Sequence, residues 1–225
     1  MTNEELSALA DELMLLANEV KIAASKCCGT RDMHRAARSM GVLEHGAVDT
    51  LAGPGRVEQV ADLMYFEPNE RGVRAFDRFL AGPARHLPER EKELAARMAS
   101  NSFSIFRVAG KHESLGLWVD DILDNNRRIW LVEPDVEEEV AVNATFALRA
   151  FDAGPFHLPL CLSAIINERM SNVFQRARET GRPMHRRSLA ATIYGLVQLN
   201  GVPPTHPSGW RFVEDLGTEL RPGGT

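Results

Sequence analysis

The residues best able to do chemistry in this 225-residue chain are its charged clusters. From Arg169 to Arg187 six arginines (169, 176, 178, 182, 186 and 187) stand against one acid, Glu179. That is a local excess of +5 in a chain of net charge −5, so the remainder carries −10. Grouped arginines hold phosphates by forked, charge-assisted hydrogen bonds. Arg176, Arg178, Arg182, Arg186 and Arg187 are therefore the candidate nucleic-acid contacts. The same side chains could equally pair with the acidic remainder of the chain, or with that of a second subunit. Asp120, Asp121, Asp124 and Glu133, with Asp135 and Glu137 to Glu139, form a second cluster. Hard divalent cations take such oxygen ligands. Acids at turns and on the wet face of a sheet are also common, and no calcium-loop spacing is present. No metal site is assigned.

Other reactive groups are scattered. Cys161 or Ser163 with His157 would be a nucleophile and base on one strand, where a period of two sends His157 and Cys161 to the same face. Cys27-Cys28 with His34 falls short of the four clustered ligands a zinc site wants. The three cysteines make no disulfide framework. The seven histidines show no His-x-x-x-His pair, and the chain has no Gly-x-Ser-x-Gly, phosphate loop or Gly-x-Gly-x-x-Gly. No cofactor is expected.

The elements that carry these groups are legible from periodicity. Asn3 to Ile22 reads as a helix, ended by Cys27-Cys28-Gly29, with Leu6, Leu9, Met14, Ala17, Val20 and Ala24 near a 3.6-residue period and acids in its first turn. Thr2 or Asn3 could cap it. Arg31–Met40 is helical, and with Gly41-Val42 and Ala47-Val48 it resembles a helix-turn-helix over residues 31–51. The second helix would then present Leu43, Glu44, His45 and Asp49 to a DNA groove. Its two acids would repel phosphate, and Gly46 weakens a helix by about 1 kcal/mol relative to Ala. Val57–Met64, Val73–Leu80 and Leu87–Ser100 are further helices.

From Ser102 to Ala164 the period changes to two. Phe103 to Val108, Leu115 to Val119, Arg128 to Val132, Val140 to Val142, Ala144 to Phe151 and Phe156 to Leu162 are strand candidates. Ala109–Ser114, Asp124-Asn-Asn126 and Asp152-Ala-Gly-Pro155 turn the chain. Ile165–Thr180 and Ser188–Asn200 read as helices, the second stopped by Gly201 and Pro203. Thr205–Thr225 is a Pro/Gly-rich tail.

Phe76-Asp-Arg-Phe-Leu80, Leu87–Met98, Ser102-Phe-Ser-Ile-Phe-Arg-Val108 and Gly116-Leu-Trp-Val-Asp-Asp-Ile-Leu123 together resemble the region that accompanies SEC-C zinc motifs in bacterial proteins. The likeness spans about residues 60–162. It implies helices followed by a small sheet, and no established biochemical role. The Cys-x-Cys zinc motif itself is absent, so its zinc chemistry does not carry over.

The chain is thus expected to be α+β: a helical region over 1–100, a small antiparallel barrel-like sheet over 101–164, and C-terminal helices and tail over 165–225. A 44% hydrophobic and 25% charged composition is ordinary for a globular protein. No run approaches the roughly 20 apolar residues of a membrane helix. The N-terminus is acidic and lacks a secretion pattern, so a cytoplasmic bacterial protein is expected. Three functions remain open. The first is a non-catalytic interaction or regulatory protein with a protein partner, itself or another chain. The second is a nucleic-acid-binding regulator, and the third a metal-dependent hydrolase.

Overall fold

The computed structural model describes residues 2–42, 55–132, 141–161, 164–180 and 188–199, and of Arg178 and Leu199 the backbone only. Helices come first. Thr2 caps α1 (Asn3–Ser25) in a reciprocal capping box with Glu5, the arrangement expected from Thr and Glu three residues apart. Its buried side, Leu6, Ala10, Ala17, Val20 and Ala24, follows the predicted stripe closely. Next are α2 (Thr30–Met40), α3 (Arg56–Phe66), α4 (Ala75–Ala81) and α5 (Glu89–Ala99), with a 3-10 turn at Pro83–His86. Gly41 ends α2 in the left-handed conformation, φ 78°, which costs Gly little.

Six strands follow among the described residues: β1 (Ser102–Lys111), β2 (Leu117–Asp121), β3 (Arg127–Leu131), β4 (Thr145–Asp152), β5 (His157–Pro159) and β6 (Ala164–Ile165). The order β1-β2-β3-β5-β4, with β4 pairing back onto β1, closes a five-stranded barrel; β6 adds to β4. The expected all-antiparallel sheet is corrected to a mixed one, because β3 and β5 run parallel at Leu131 and His157. The reason is parity. Antiparallel neighbours alternate up and down, and an odd closed ring cannot alternate throughout.

Two short segments also differ from expectation. Ala141 and Val142 form a turn, with Asn143 at φ 73°, instead of a strand; Val140 lies outside the described residues. The helix expected from Ile165 begins at Glu168, as α6 (Glu168–Glu179). Ala164–Ile165 is taken up as β6 against Phe146 and Ala147, and the Asn167 carboxamide accepts the Met170 N–H at 2.9 Å, which caps α6. The last helix among the described residues is α7 (Leu189–Leu199).

Among the described residues, apolar side chains pack in three clusters. Phe106, Val108, Leu117, Val119, Ile129, Leu131, Phe146, Leu148 and Ala150 fill the barrel. Outside it, α1, α4 and α5 pack with Phe151, Phe156 and Leu158. A second outer cluster joins α2, α3, α6 and α7 to Ile105, Ala147 and Ala164. β4 is therefore covered on both faces, as is β1 over Ser104–Phe106, which is why β4 reads as a nearly continuous apolar run. Trp130 stacks on His112 (3.8 Å, 5° between planes) and donates to the Leu115 carbonyl at 2.7 Å, which pins the β1–β2 loop to the barrel wall.

Candidate functional site

Along β4, Phe146, Leu148 and Ala150 point into the barrel, so Ala147, Arg149 and Phe151 point out, into the seam between the two helical clusters. A bare guanidinium there would be very costly. α3 supplies the answer, since its inner face carries buried Asp62. Arg149 Nε donates to Asp62 at 2.8 Å, Nη1 to Asn101 at 2.8 Å and Nη2 to Glu67 at 2.9 Å. Phe66 and Phe103 lie over the guanidinium, 5.2 and 5.5 Å from their ring centres. Burial works against the charge. Asp62, by its charge and its hydrogen bond, more than offsets this and holds Arg149 above its ordinary pKa.

The network extends to α7 and α1. Tyr194 donates to Asp62 at 3.3 Å, and its hydroxyl lies 3.0 Å from the Cys161 sulfur, with either group able to donate. Lys21 donates to the Leu160 carbonyl at 3.1 Å, its ammonium held below the ordinary value by burial. Burial, reinforced by the Asp62 charge, pushes the Cys161 thiol up to about 12 and the Tyr194 phenol well above its ordinary range. Both are neutral near pH 7. The hydrogen bonds among Asp62, Arg149, Cys161 and Tyr194 brace α3 and α7 against the barrel.

The predicted site residues are dispersed. Asp120 pairs with Arg128 at 2.8 Å and Asp124 with Arg127 at 2.8 Å. Asp121 is buried, bonded by the Ser104 hydroxyl and by the Leu123 and Asp124 N–H groups at 3.0 and 3.1 Å. It closes the turn after β2. Among the described residues no three His, Cys, Asp or Glu side chains gather as metal ligands; Glu133, Asp135 and Glu137 to Glu139 lie outside them. His157 sits under the charges of Asp152 and Arg127, whereas Cys161 lies beyond the end of β5 against Arg149 and Tyr194. The strand breaks between them, so the period of two does not unite them. Ser163 is outside the described residues. Burial pushes the Cys28 thiol up to about 11.

Of the basic segment, Arg176 lies on the exposed side of α6, Arg178 belongs to that helix, and Arg182, Arg186 and Arg187 are outside the described residues. α2 forms as expected, while the second helix of the supposed helix-turn-helix, residues 43–51, is outside them too. Sequence reasoning missed Arg149. Its signal was an arginine inside the apolar run Ala144–Phe151, which on a strand covered on both faces demands a buried acid.

One surface stands out. α1 exposes Leu15 (62%) and Ile22 (66%), seven residues apart on the stripe opposite its buried side. Exposed Glu4, Asp11 and Glu19 flank them, with no ion-pair partner among the described residues.

No protein-family model matches this chain, and no curated protein and no solved structure matches it.

Proposed function

We propose that this chain is a non-catalytic, cytoplasmic interaction or regulatory protein whose docking surface is the outer face of α1. The observation that carries the reading is the pair Leu15 and Ile22, large apolar side chains left in water two turns apart on the 23-residue helix α1. Exposed apolar groups aligned along a helix and rimmed by polar ones suit a partner helix. Catalysis has less support. Arg149, Asp62, Cys161 and Tyr194 are bonded to one another, and the acids of β2 and its turn each hold a structural partner. All three cysteines are free thiols, which fits a reducing compartment. No helix among the described residues is long and apolar enough to cross a membrane. The likeness to the region accompanying SEC-C motifs brings no biochemical role to add.

The nucleic-acid reading keeps Arg176 and gains Arg169 on the same side of α6. The exposed face of that helix also carries Glu168 and Glu179, so its charge is mixed and phosphate gains little there. The test is a Leu15→Asp/Ile22→Asp variant with unchanged circular dichroism and melting temperature. Association with any partner, a second copy included, is expected to weaken at least tenfold in a purified binding titration. Association of undiminished strength would remove α1 as the docking face.

A further inference from the structure

We propose that the outer face of α1 docks on the outer face of α6 of a second copy of this chain. This rests on reading α1 as the docking face and names its occupant. On α1, Ala8, Leu15 and Ile22 recur at intervals of seven, and Asp11 and Glu19 lie beside them. On α6, Arg169, Asn172, Val173 and Arg176 form an exposed stripe, with Val173 at 59% exposure. These residues and Glu168 line an open depression of about 490 Å³. Neither arginine has a carboxylate partner among the described residues.

The two faces are complementary. One presents apolar side chains between acids, the other an apolar side chain between arginines. At about 1.5 Å rise per residue, Asp11 and Glu19 lie about 12 Å apart along α1, and Arg169 and Arg176 about 10.5 Å apart along α6. Leu15, between the two acids, thereby faces Val173, between the two arginines. One molecule cannot make this contact with itself. The inner face of α1 belongs to the cluster with α4 and α5, that of α6 (Phe174, with Met170 against it) to the cluster with α2, α3 and α7, and both outer stripes face solvent. In a two-fold dimer each α1 would take the α6 of the other copy, giving two equivalent contacts. Nucleic acid suits the α6 face less well, because Val173 offers a phosphate nothing, whereas Leu15 of a second copy would cover it.

Sedimentation velocity of the full chain over about 1 μM to about 1 mM, the range in which small interfaces dissociate, tests the proposal. Two charge-reversed variants accompany it: Arg169→Glu/Arg176→Glu, and Asp11→Arg/Glu19→Arg. All four positions are exposed, and unchanged melting curves check the fold. Wild type is expected to self-associate reversibly and to do so less as salt rises. Each variant alone is expected to stay monomeric, since both of its faces carry one sign. Their equimolar mixture is expected to associate again, because each face then meets the opposite charge.

A monomeric wild type at low salt would overturn the second-copy occupant and leave α1 open to a different protein. Association lost in Leu15→Asp/Ile22→Asp but unaffected by reversing the α6 arginines would overturn α6 alone. Association indifferent to both would overturn the docking face as well. A monomer that binds mixed-sequence RNA or DNA through Arg169 and Arg176 would reassign α6 to nucleic acid.

Discussion

Arg149 is the centre of the buried polar network that joins β4 to α3 and α7. It meets Asp62, Glu67 and Asn101 at once and lies against two aromatic rings. A buried pair adds little net stability over an apolar pair, but half a pair is very costly. Arg149→Met leaves Asp62 enclosed without its cation, so a loss of about 3–5 kcal/mol is expected in urea denaturation. Arg149→Met/Asp62→Leu should recover much of that. A single-variant loss below about 1 kcal/mol would mean that water already screens the pair. The arginine is visible in the sequence as a charge within an apolar strand. Its partners are not, because Asp62 is 87 residues away and Glu67 is 82. No local period links them.

At the scale of elements, the barrel depends on a close approach and on a narrow seam. Gly116 has φ +79°, and a Cβ there would lie 2.3 Å from the Leu131 carbonyl oxygen, a backbone atom with little room to move. Gly116→Ala is therefore expected to cost more than about 1 kcal/mol, read as a lowered melting temperature. Gly110→Ala, with nothing within 4 Å, is the control and should be near neutral.

The seam is β3 against β5 at His157, whose imidazole is held below its ordinary 6.5, first by burial and then by Arg127, with Asp152 opposing. The unfolded chain therefore binds this proton more readily than the folded one. Stability is full above the ordinary imidazole range and falls as pH drops through it. Melting temperatures between pH 8 and pH 5.5 should show this slope, and His157→Gln should flatten it. Parallel slopes in the two proteins would remove His157 as the cause. The turns were readable: Asp124-Asn-Asn126 promised left-handed backbone, and Asn125 and Asn126 adopt it at φ 52° and 56°.

At the scale of the molecule, β4 is shared by everything. Its inner face fills the barrel, Phe151 joins one outer cluster, Ala147 joins the other, and Arg149 lies between them. The apolar clusters thus cross the divisions near residues 100 and 164 at which the sequence changes its period. Such sharing predicts one cooperative transition. Far-ultraviolet circular dichroism and the fluorescence of Trp118 and Trp130 should change together in urea. Separated midpoints would show that the helical layers and the barrel unfold independently.

Periodicity and turn chemistry were enough to settle the α+β class, the helix–strand–helix succession, the buried stripe of α1 and most of the hairpin turns. All of these depend on residues a few positions apart, where the spacing of side chains along a helix or strand is itself the physical cause. The tertiary structure alone decided the rest. Ring closure with five strands imposed the parallel β3–β5 pair. Packing of α3 and α7 over β4 joined Arg149, Asp62 and Tyr194. Separate partners for Asp120, Asp121 and Asp124 dispersed carboxylates that stand together in the chain. Leu15 and Ile22, as apolar as their buried neighbours, were left facing water. Each of these outcomes depends on which distant segment comes to cover a given face, and that is a property of the packed whole.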